Sequence, residues 1–179
     1  VCSSDLQFNV DIFGPESVYN EIEILQVAIN LFQKFGANDS HFGIQINNRT
    51  FVDFFFNKAL TLSEETSYQL YKLVDRFKKL KPEAFEAQLA ELGLKDDQAT
   101  LFKKYLELDS IDKFKSFAKE VSFSTDLWDY ENFFKTLEEL DLLKFIDFNA
   151  SIVRGLDYYT GLVFEIFDKH PENRRALCG

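Results

Sequence analysis

Apolar and polar residues alternate near the beginning of the chain. Residues 6–13 read LQFNVDIF, in which Phe8, Val10 and Ile12 are separated by polar side chains. A repeat of two residues places the apolar side chains on one face of an extended chain. The pattern therefore predicts a β-strand that ends before Gly14.

The apolar period lengthens after Ser17. Apolar residues now recur at intervals of four and three, as on one face of an α-helix: Val18, Ile22, Leu25, Ile29 and Phe32. Gly36 follows, and glycine is common just after a helix C-terminus. The pattern predicts a helix that ends before Gly36 and a second strand at residues 42–46, FGIQI.

A helical period dominates the middle of the chain. It predicts amphipathic helices at residues 62–80, 82–92, 97–108, 111–121 and 126–142. Pro82 would occupy the first turn of one of them, and Gly93 would follow its end. Strand-like patterns return at residues 144–153 and 162–167.

This order of elements predicts an α+β fold. A sheet with a flanking helix would be built from residues 1–48 and 143–179, and an all-helical domain, residues 49–142, would be inserted between them. Two parts that are distant in the sequence would therefore form one sheet.

Composition limits the possible functions. Hydrophobic residues make up 46% of the 179 positions, which is enough for a sizeable core. The net charge is −10, so any contact with nucleic acid would have to be local. The apolar runs are too short to predict a membrane span or a secretory signal, and we expect a cytoplasmic protein without membrane contact. Cys2 and Cys178 lack metal-type spacing, and we expect no metal site in the protein.

The segment RGLDYYTG, residues 154–161, is the strongest candidate for chemistry. Arg154 can hold a carboxylate or a phosphate through two hydrogen bonds, and the hydroxyl groups of Tyr158 and Tyr159 can donate and accept. These groups suit a site for an anionic ligand. On pattern alone, the alternative is a loop with an Arg154–Asp157 ion pair and tyrosines that cap the core.

Gln7 and Asp11 are polar residues on one face of the first predicted strand. They would lie about 13 Å apart at roughly 3.3 Å per residue. A solvated outer face of the sheet is the simpler explanation of this spacing.

Three stretches resemble the histidyl-tRNA synthetases, a family of class II aminoacyl-tRNA synthetases. SIVRGLDYYTGLVFE is similar to their histidine-specific signature, QFNVDIFG to the second strand of motif 2, and RRALCG to the lead-in of a glycine-rich strand. The resemblance implies that residues 1–48 and 143–179 belong to the catalytic core, with an antiparallel sheet, and that residues 49–142 are the insertion domain. It also implies that the chain is an internal fragment of a homodimeric enzyme and inactive alone.

The reaction implied by the resemblance joins histidine to ATP, a substrate used with Mg²⁺, and passes the histidyl group to the 3′ end of tRNA(His). No prosthetic group is expected. Arg154 would be the catalytic residue, in contact with the substrate carboxylate and the α-phosphate. Gln7 would orient the amino acid near its α-amino group. Asp11 and Tyr159 would bind the imidazole, and Tyr158 would form the neighbouring pocket wall.

The resemblance also implies that the insertion approaches the acceptor arm of the tRNA. Lys72, Arg76 and Lys79 share one face of a predicted helix and are the candidates for phosphate contact. A solvated face balanced by neighbouring acidic residues is the alternative. For the whole chain, two other functions stay open. One is the non-catalytic regulatory subunit of ATP phosphoribosyltransferase, which resembles these synthetases, and the other is a helical protein-interaction module.

Overall fold

A four-stranded sheet joins the two ends of the chain. In the computed structural model, which describes residues 8–153, 160–173 and 176–179, the strands are β1 (Phe42–Asn48), β2 (Ile146–Phe148), β3 (Leu162–Asp168) and β4 (Ala176–Cys178). Their spatial order is β2-β1-β3-β4. The pairs β1–β3 and β3–β4 are antiparallel, whereas β1 and β2 are parallel. The predicted α+β fold is therefore confirmed, with a mixed sheet.

The alternation of side chains along β1 gives the sheet two different faces. Ile44 lies opposite Ile146 on one neighbouring strand and Ile166 on the other, and all three side chains are buried. Gln45 lies opposite Glu165, and these two side chains project from the other face because direction alternates along a strand. The first face is part of the core, and the second is partly exposed.

The described residues contain seven α-helices, all but one of which the apolar period predicts. They are α1 (Val18–Lys34), α2 (Arg49–Phe54), α3 (Glu64–Arg76), α4 (Pro82–Glu91), α5 (Asp96–Leu106), α6 (Ile111–Glu120) and α7 (Tyr130–Glu139). Short 3₁₀ turns follow α3 at Phe77–Lys79 and precede β2 at Leu143–Phe145. Gly36 and Gly93 follow α1 and α4 with φ values of 85° and 66°, as the helix-end predictions require.

The helix α2 and the π-helical turn that follows it, Phe55–Ala59, are absent from the prediction. Phe51, Phe55 and Phe56 are all fully buried. The α-helix has only six residues and passes directly into a π-helical turn, so no regular helical period extends over enough residues to be detected. Its start does carry a local signal, because the side-chain oxygen of Asn48 accepts a hydrogen bond from the backbone N–H of Phe51 (3.2 Å).

The strand predicted at residues 6–13 is wrong for the part that the structure describes. Residues 8–13 form no regular element, and Phe8 and Phe13 are 70% and 94% exposed. A strand needs a neighbour that satisfies its backbone N–H and C=O groups, and none of the described strands pairs with this segment. Asp11 is consequently exposed and does not lie on a sheet face.

The strand predicted over residues 144–153 is shorter than expected. Only Ile146–Phe148 pairs with the sheet. Directly afterwards, Oδ1 of Asn149 accepts hydrogen bonds from the backbone N–H and the hydroxyl of Ser151 (2.9 and 2.7 Å). This local turn ends the strand because the side chain offers the backbone another partner.

Aromatic rings join the sheet to the helical block, residues 49–142. Phe114 of α6 stacks on Phe148 of β2 with ring centroids 4.3 Å apart. Phe51 of α2 meets Phe114 edge-on at 4.9 Å. Buried side chains from the sheet and the block belong to one continuous cluster. The domain boundaries at residues 48 and 142 stay a prediction, because a shared core does not define where a domain ends.

Candidate functional site

Four of the predicted site residues lie outside the described residues: Gln7, Arg154, Tyr158 and Tyr159. Asp11 is described, and it is exposed in a segment without regular structure. The signature segment is the stretch of residues 154–161. The structure describes the chain up to Val153, directly before this segment, and again from Thr160, at its end.

Asn47 holds the chain that leads into the signature segment. Its side chain is fully buried at the end of β1, and Nδ2 donates to the carbonyl oxygens of Ala150 (3.2 Å) and Ile152 (3.1 Å). The hydroxyl of Tyr105, from α5, donates to the same Ala150 oxygen (3.0 Å). Burial raises the pKa of Tyr105 above its usual range, so the phenol stays a proton donor. The chain is therefore fixed directly before the segment begins.

The next residues of the chain hold the other end of the segment. The backbone N–H of Arg49 donates to the carbonyl oxygen of Gly161 (2.8 Å), and the hydroxyl of Thr50 donates to that of Thr160 (3.2 Å). Residues 47–50, which we call the anchor stretch, thus contact both the chain that precedes the segment and its last two residues. Fixing the chain on both sides of a binding segment reduces the conformational freedom that is lost when a ligand binds.

A partly buried carboxylate reaches the same end from α1. Oε1 of Glu21 accepts a hydrogen bond from the backbone N–H of Leu162 (3.2 Å), and Oε2 accepts one from the indole N–H of Trp128 (3.1 Å). Burial raises the pKa of Glu21, while the two hydrogen bonds act in the opposite direction. Glu21 thereby connects α1 with the helical block and with the start of β3.

Arg49 also takes part in a side-chain network that ties α2 to α3. Its Nε donates to Oδ2 of Asp53 (2.7 Å), and its guanidinium lies 4.8 Å from the ring centre of Tyr71. The hydroxyl of Tyr71 donates to Oδ1 of the same aspartate. Burial, together with this hydrogen bond, raises the pKa of Tyr71. The network fixes the anchor stretch against the helical block.

A cleft of about 830 Å³ opens beside the polar face of the sheet. Gln45 and Glu165 line it from the sheet, and Lys79 lines it from the helical block. The side chain of Asn149 donates to Oε1 of Gln45 (2.8 Å) and so fixes its orientation. Ile152, two residues before the signature segment, belongs to the same lining.

The cleft carries charges of both signs. Asp168 accepts hydrogen bonds from the backbone N–H of His170 (2.8 Å) and from the side chain of Asn173 (2.9 Å). These bonds hold the pKa of the Asp168 carboxyl below its usual range. Lys169 lies next to it in the lining, and its Nζ donates to the carbonyl oxygen of Asp39 (2.7 Å).

The three basic residues predicted to contact tRNA are all exposed. Nζ of Lys72 lies 4.1 Å from the ring centre of Tyr68, and Arg76 donates to the side-chain oxygen of Gln88 in α4 (3.2 Å). Lys79 follows in the 3₁₀ turn at the cleft. Their contact with tRNA stays a prediction.

Two negative findings concern the ranges 8–153, 160–173 and 176–179. Within them, His, Cys, Asp and Glu side chains form no group of three or more that could hold a metal ion. None of the helices described there is long and apolar enough to cross a bilayer.

The sequence prediction missed Asn47, Arg49 and Glu21 as parts of the site. A local signal existed for the first two, because INNRT places two asparagines between an apolar strand and an apolar helix. Polar residues at such a junction commonly bond backbone groups. Glu21 carried no such signal, because an acidic residue in the first turn of a helix is ordinary.

Comparison with known sequences identifies relatives over nearly the whole chain. The family model described as "Histidyl-tRNA synthetase" matches residues 3–179. The histidine--tRNA ligase of Leptospira biflexa is 32% identical over 177 residues, which cover 97% of this chain and 39% of the relative. That of Opitutus terrae is 31% identical over 179 residues, covering 97% and 40%. The chain spans about two fifths of the length of these relatives.

Solved structures show the same fold. A histidyl-tRNA synthetase from Nostoc sp. PCC 7120 matches with a TM-score of 0.71 and 23% identity, over 85% of this chain and 37% of that one. A protein from Bacillus halodurans, described as an ATP phosphoribosyltransferase regulatory subunit/histidyl-tRNA synthetase, matches with a TM-score of 0.74 and 16% identity, over 92% and 42%. At these identities the likeness concerns the fold alone.

Proposed function

The chain belongs to the histidyl-tRNA synthetase family, and on this premise we propose that it forms part of a ligase for histidine, ATP and tRNA(His). In the first step, a carboxylate oxygen of histidine attacks the α-phosphorus of ATP, which forms histidyl-adenylate and releases pyrophosphate. In the second step, the 3′-terminal adenosine of the tRNA takes the histidyl group and AMP leaves. ATP would enter with Mg²⁺, and the full-length protein would be a cytoplasmic homodimer.

One observation carries this proposal: the anchor stretch fixes both the chain that precedes the signature segment and the last two residues of the segment, beside an open cleft. Asn47 holds the carbonyl groups before the segment, and Arg49 holds the carbonyl of Gly161 at its end. Adenylate formation depends mostly on positioning and charge stabilisation, so the groups involved need a fixed frame. A segment that carries an arginine and two tyrosines on such a frame suits that chemistry.

The proposed roles follow the chemistry of each side chain. Arg154 would offset the negative charge that builds on the α-phosphate, because a guanidinium binds two oxygens at once. Gln7 would orient the α-amino group of histidine. Asp11 and Tyr159 would bond the two imidazole nitrogens, with Tyr158 as the adjoining wall, so that amino acids lacking those nitrogens leave buried groups unpaired.

The test is amino-acid-dependent ATP–pyrophosphate exchange by the full-length protein that contains this chain. Exchange is expected with histidine and with no other standard amino acid. Arg154→Ala is expected to lower kcat about 100-fold, because it removes a cation from the transferring phosphate. Arg154→Lys, the matched control, keeps the charge but loses the bidentate geometry and should recover only part of the rate. Undiminished exchange by Arg154→Ala would exclude the proposed role.

A non-catalytic regulatory subunit is the second candidate, favoured by the likeness in fold to the Bacillus halodurans protein. It predicts that the full-length protein binds histidine and supports no exchange. Isothermal titration with histidine, run beside the exchange assay, therefore separates the two functions. A protein that does neither would contradict both.

Charge reversal tests the proposed tRNA contact. The double variant Lys72→Glu/Arg76→Glu is expected to bind tRNA(His) more weakly and to reduce the slope of log K against log salt by about one per lost phosphate contact. Lys119→Glu/Lys135→Glu changes the charge equally at two other exposed helix positions and serves as the control. Filter binding over a salt series measures both effects. Equal behaviour of the two double variants would show that α3 makes no specific contact.

A further inference from the structure

The peptide group between Gly161 and Leu162 is held on both sides. Its carbonyl oxygen accepts from the backbone N–H of Arg49 (2.8 Å), and its N–H donates to Oε1 of Glu21 (3.2 Å). A peptide unit is planar, so bonds to its N–H and its C=O together fix the orientation of the whole plane. This peptide unit lies at the junction between the end of the signature segment and the start of β3.

Glu21 is placed unusually for an acidic residue in the first turn of a helix. Such residues normally interact with the free N–H groups of their own helix. Both oxygens of Glu21 instead accept N–H groups from distant parts of the chain, Leu162 and Trp128. Burying a carboxylate is unfavourable unless such bonds compensate, so the arrangement calls for a role beyond helix capping.

Space at the contact is also restricted. A Cβ atom added to Gly161 would lie 3.2 Å from Oε1 of Glu21, closer than ordinary van der Waals contact. The absence of a side chain at Gly161 therefore allows the carboxylate to approach the backbone. The carboxylate of Glu21 and the glycine at position 161 thus depend on each other for this close contact.

We propose that Glu21 is a positioning residue for histidine binding, which acts by fixing the Gly161–Leu162 peptide and with it the C-terminal end of the signature segment. This inference rests on the proposed histidine site. Glu21 itself does not touch the substrate. Its loss would let the end of the segment rotate, so that the side chains of residues 154–161 reach the ligand less often in the productive orientation.

The test is the histidine affinity of the full-length protein, measured by isothermal titration. Glu21→Met removes both acceptor oxygens at a similar side-chain length, so the N–H of Leu162 loses its partner. It is expected to weaken histidine binding about tenfold, as loss of one hydrogen bond to a charged acceptor would do, and to change ATP affinity by less than about twofold. Trp128→Phe removes the other partner of the carboxylate and leaves the bond to Leu162, so its histidine affinity should stay within about twofold of wild type. Glu23→Gln, at an exposed position of α1, is the surface control.

A second variant covers the case in which Glu21→Met does not fold. Gly161→Ala pushes against the carboxylate and should weaken histidine binding in the same direction. Wild-type affinity of Glu21→Met, or an equal loss in Trp128→Phe, would overturn the positioning role. A wild-type protein that binds no histidine would overturn it together with the histidine site. Binding without pyrophosphate exchange would contradict the ligase function alone.

Discussion

Replacement of Phe114 by alanine is expected to lower the free energy of unfolding by about 3–5 kcal/mol. The side chain is fully buried and stacks on Phe148 of the sheet at 4.3 Å between ring centroids. It also meets Phe51 edge-on at 4.9 Å. Its removal leaves a cavity at the contact between the helical block and the sheet. We therefore expect the sheet and the block to lose stability together.

Denaturant unfolding followed by circular dichroism measures the total loss. Hydrogen–deuterium exchange, read separately for peptides from β1 and from α6, shows whether the two regions open together. Phe35→Ala is the control, because that side chain is 83% exposed, and its effect should stay within about 0.5 kcal/mol. Faster exchange in α6 with unchanged protection in β1 would contradict a shared core and support an insertion that unfolds by itself.

The helices of the block were predictable because each buries only one face. The helix α6 has Phe114, Phe117 and Ala118 buried and charged residues between them, which produces a clear helical period. The helix α2 could not be recognised in this way, since it has only six residues and continues into the π-helical turn Phe55–Ala59, whose period differs. Alternation alone also led to a wrong prediction at residues 8–13. Apolar and polar residues alternate there, but none of the described strands pairs with this segment.

For the site, the sequence supports only a hypothesis about its chemistry. The types of residue in RGLDYYTG indicate an anionic ligand, and the family resemblance adds histidine; both stay predictions. The hydrogen bonds around the signature segment, which we call the frame, were not predictable. They join residues that are far apart in the chain: Asn47 to Ile152, and Glu21 to Leu162. A side chain that bonds a remote backbone group leaves no periodic trace in the sequence.

The helical block contributes to this frame at several points. Tyr105 donates to Ala150, Trp128 donates to Glu21, and Tyr71 donates to Asp53. The rings of all three side chains pack in or against the core. Tyr105 and Trp128 bond groups next to the signature segment, whereas Tyr71 acts on Arg49 through Asp53. Under the proposed function, a substitution deep in the block is therefore expected to alter histidine binding without touching the ligand.

Replacement of Asn47 by alanine is expected to destabilise the protein by about 3–5 kcal/mol and to abolish measurable histidine binding. Four hydrogen bonds disappear: those donated to Ala150, to Ile152 and to the hydroxyl oxygen of Tyr105 (3.4 Å), and the one accepted from the backbone N–H of Asn48 (2.8 Å). The groups left behind are buried, and an unsatisfied buried acceptor costs roughly 1–3 kcal/mol.

Two further variants distinguish the effect of losing the hydrogen-bond donor from the effect of leaving a cavity. Tyr105→Phe removes one bond to the Ala150 oxygen without changing the packing and should cost only about 1 kcal/mol. Asn47→Asp keeps the volume and the bond to Asn48 but turns a carboxylate oxygen toward two carbonyl oxygens, so it should be at least as damaging as alanine. Thermal unfolding and histidine titration rank the three variants by their loss of stability and of histidine affinity. If Asn47→Asp matched wild type in both, the donated bonds would not be what holds the entrance to the signature segment.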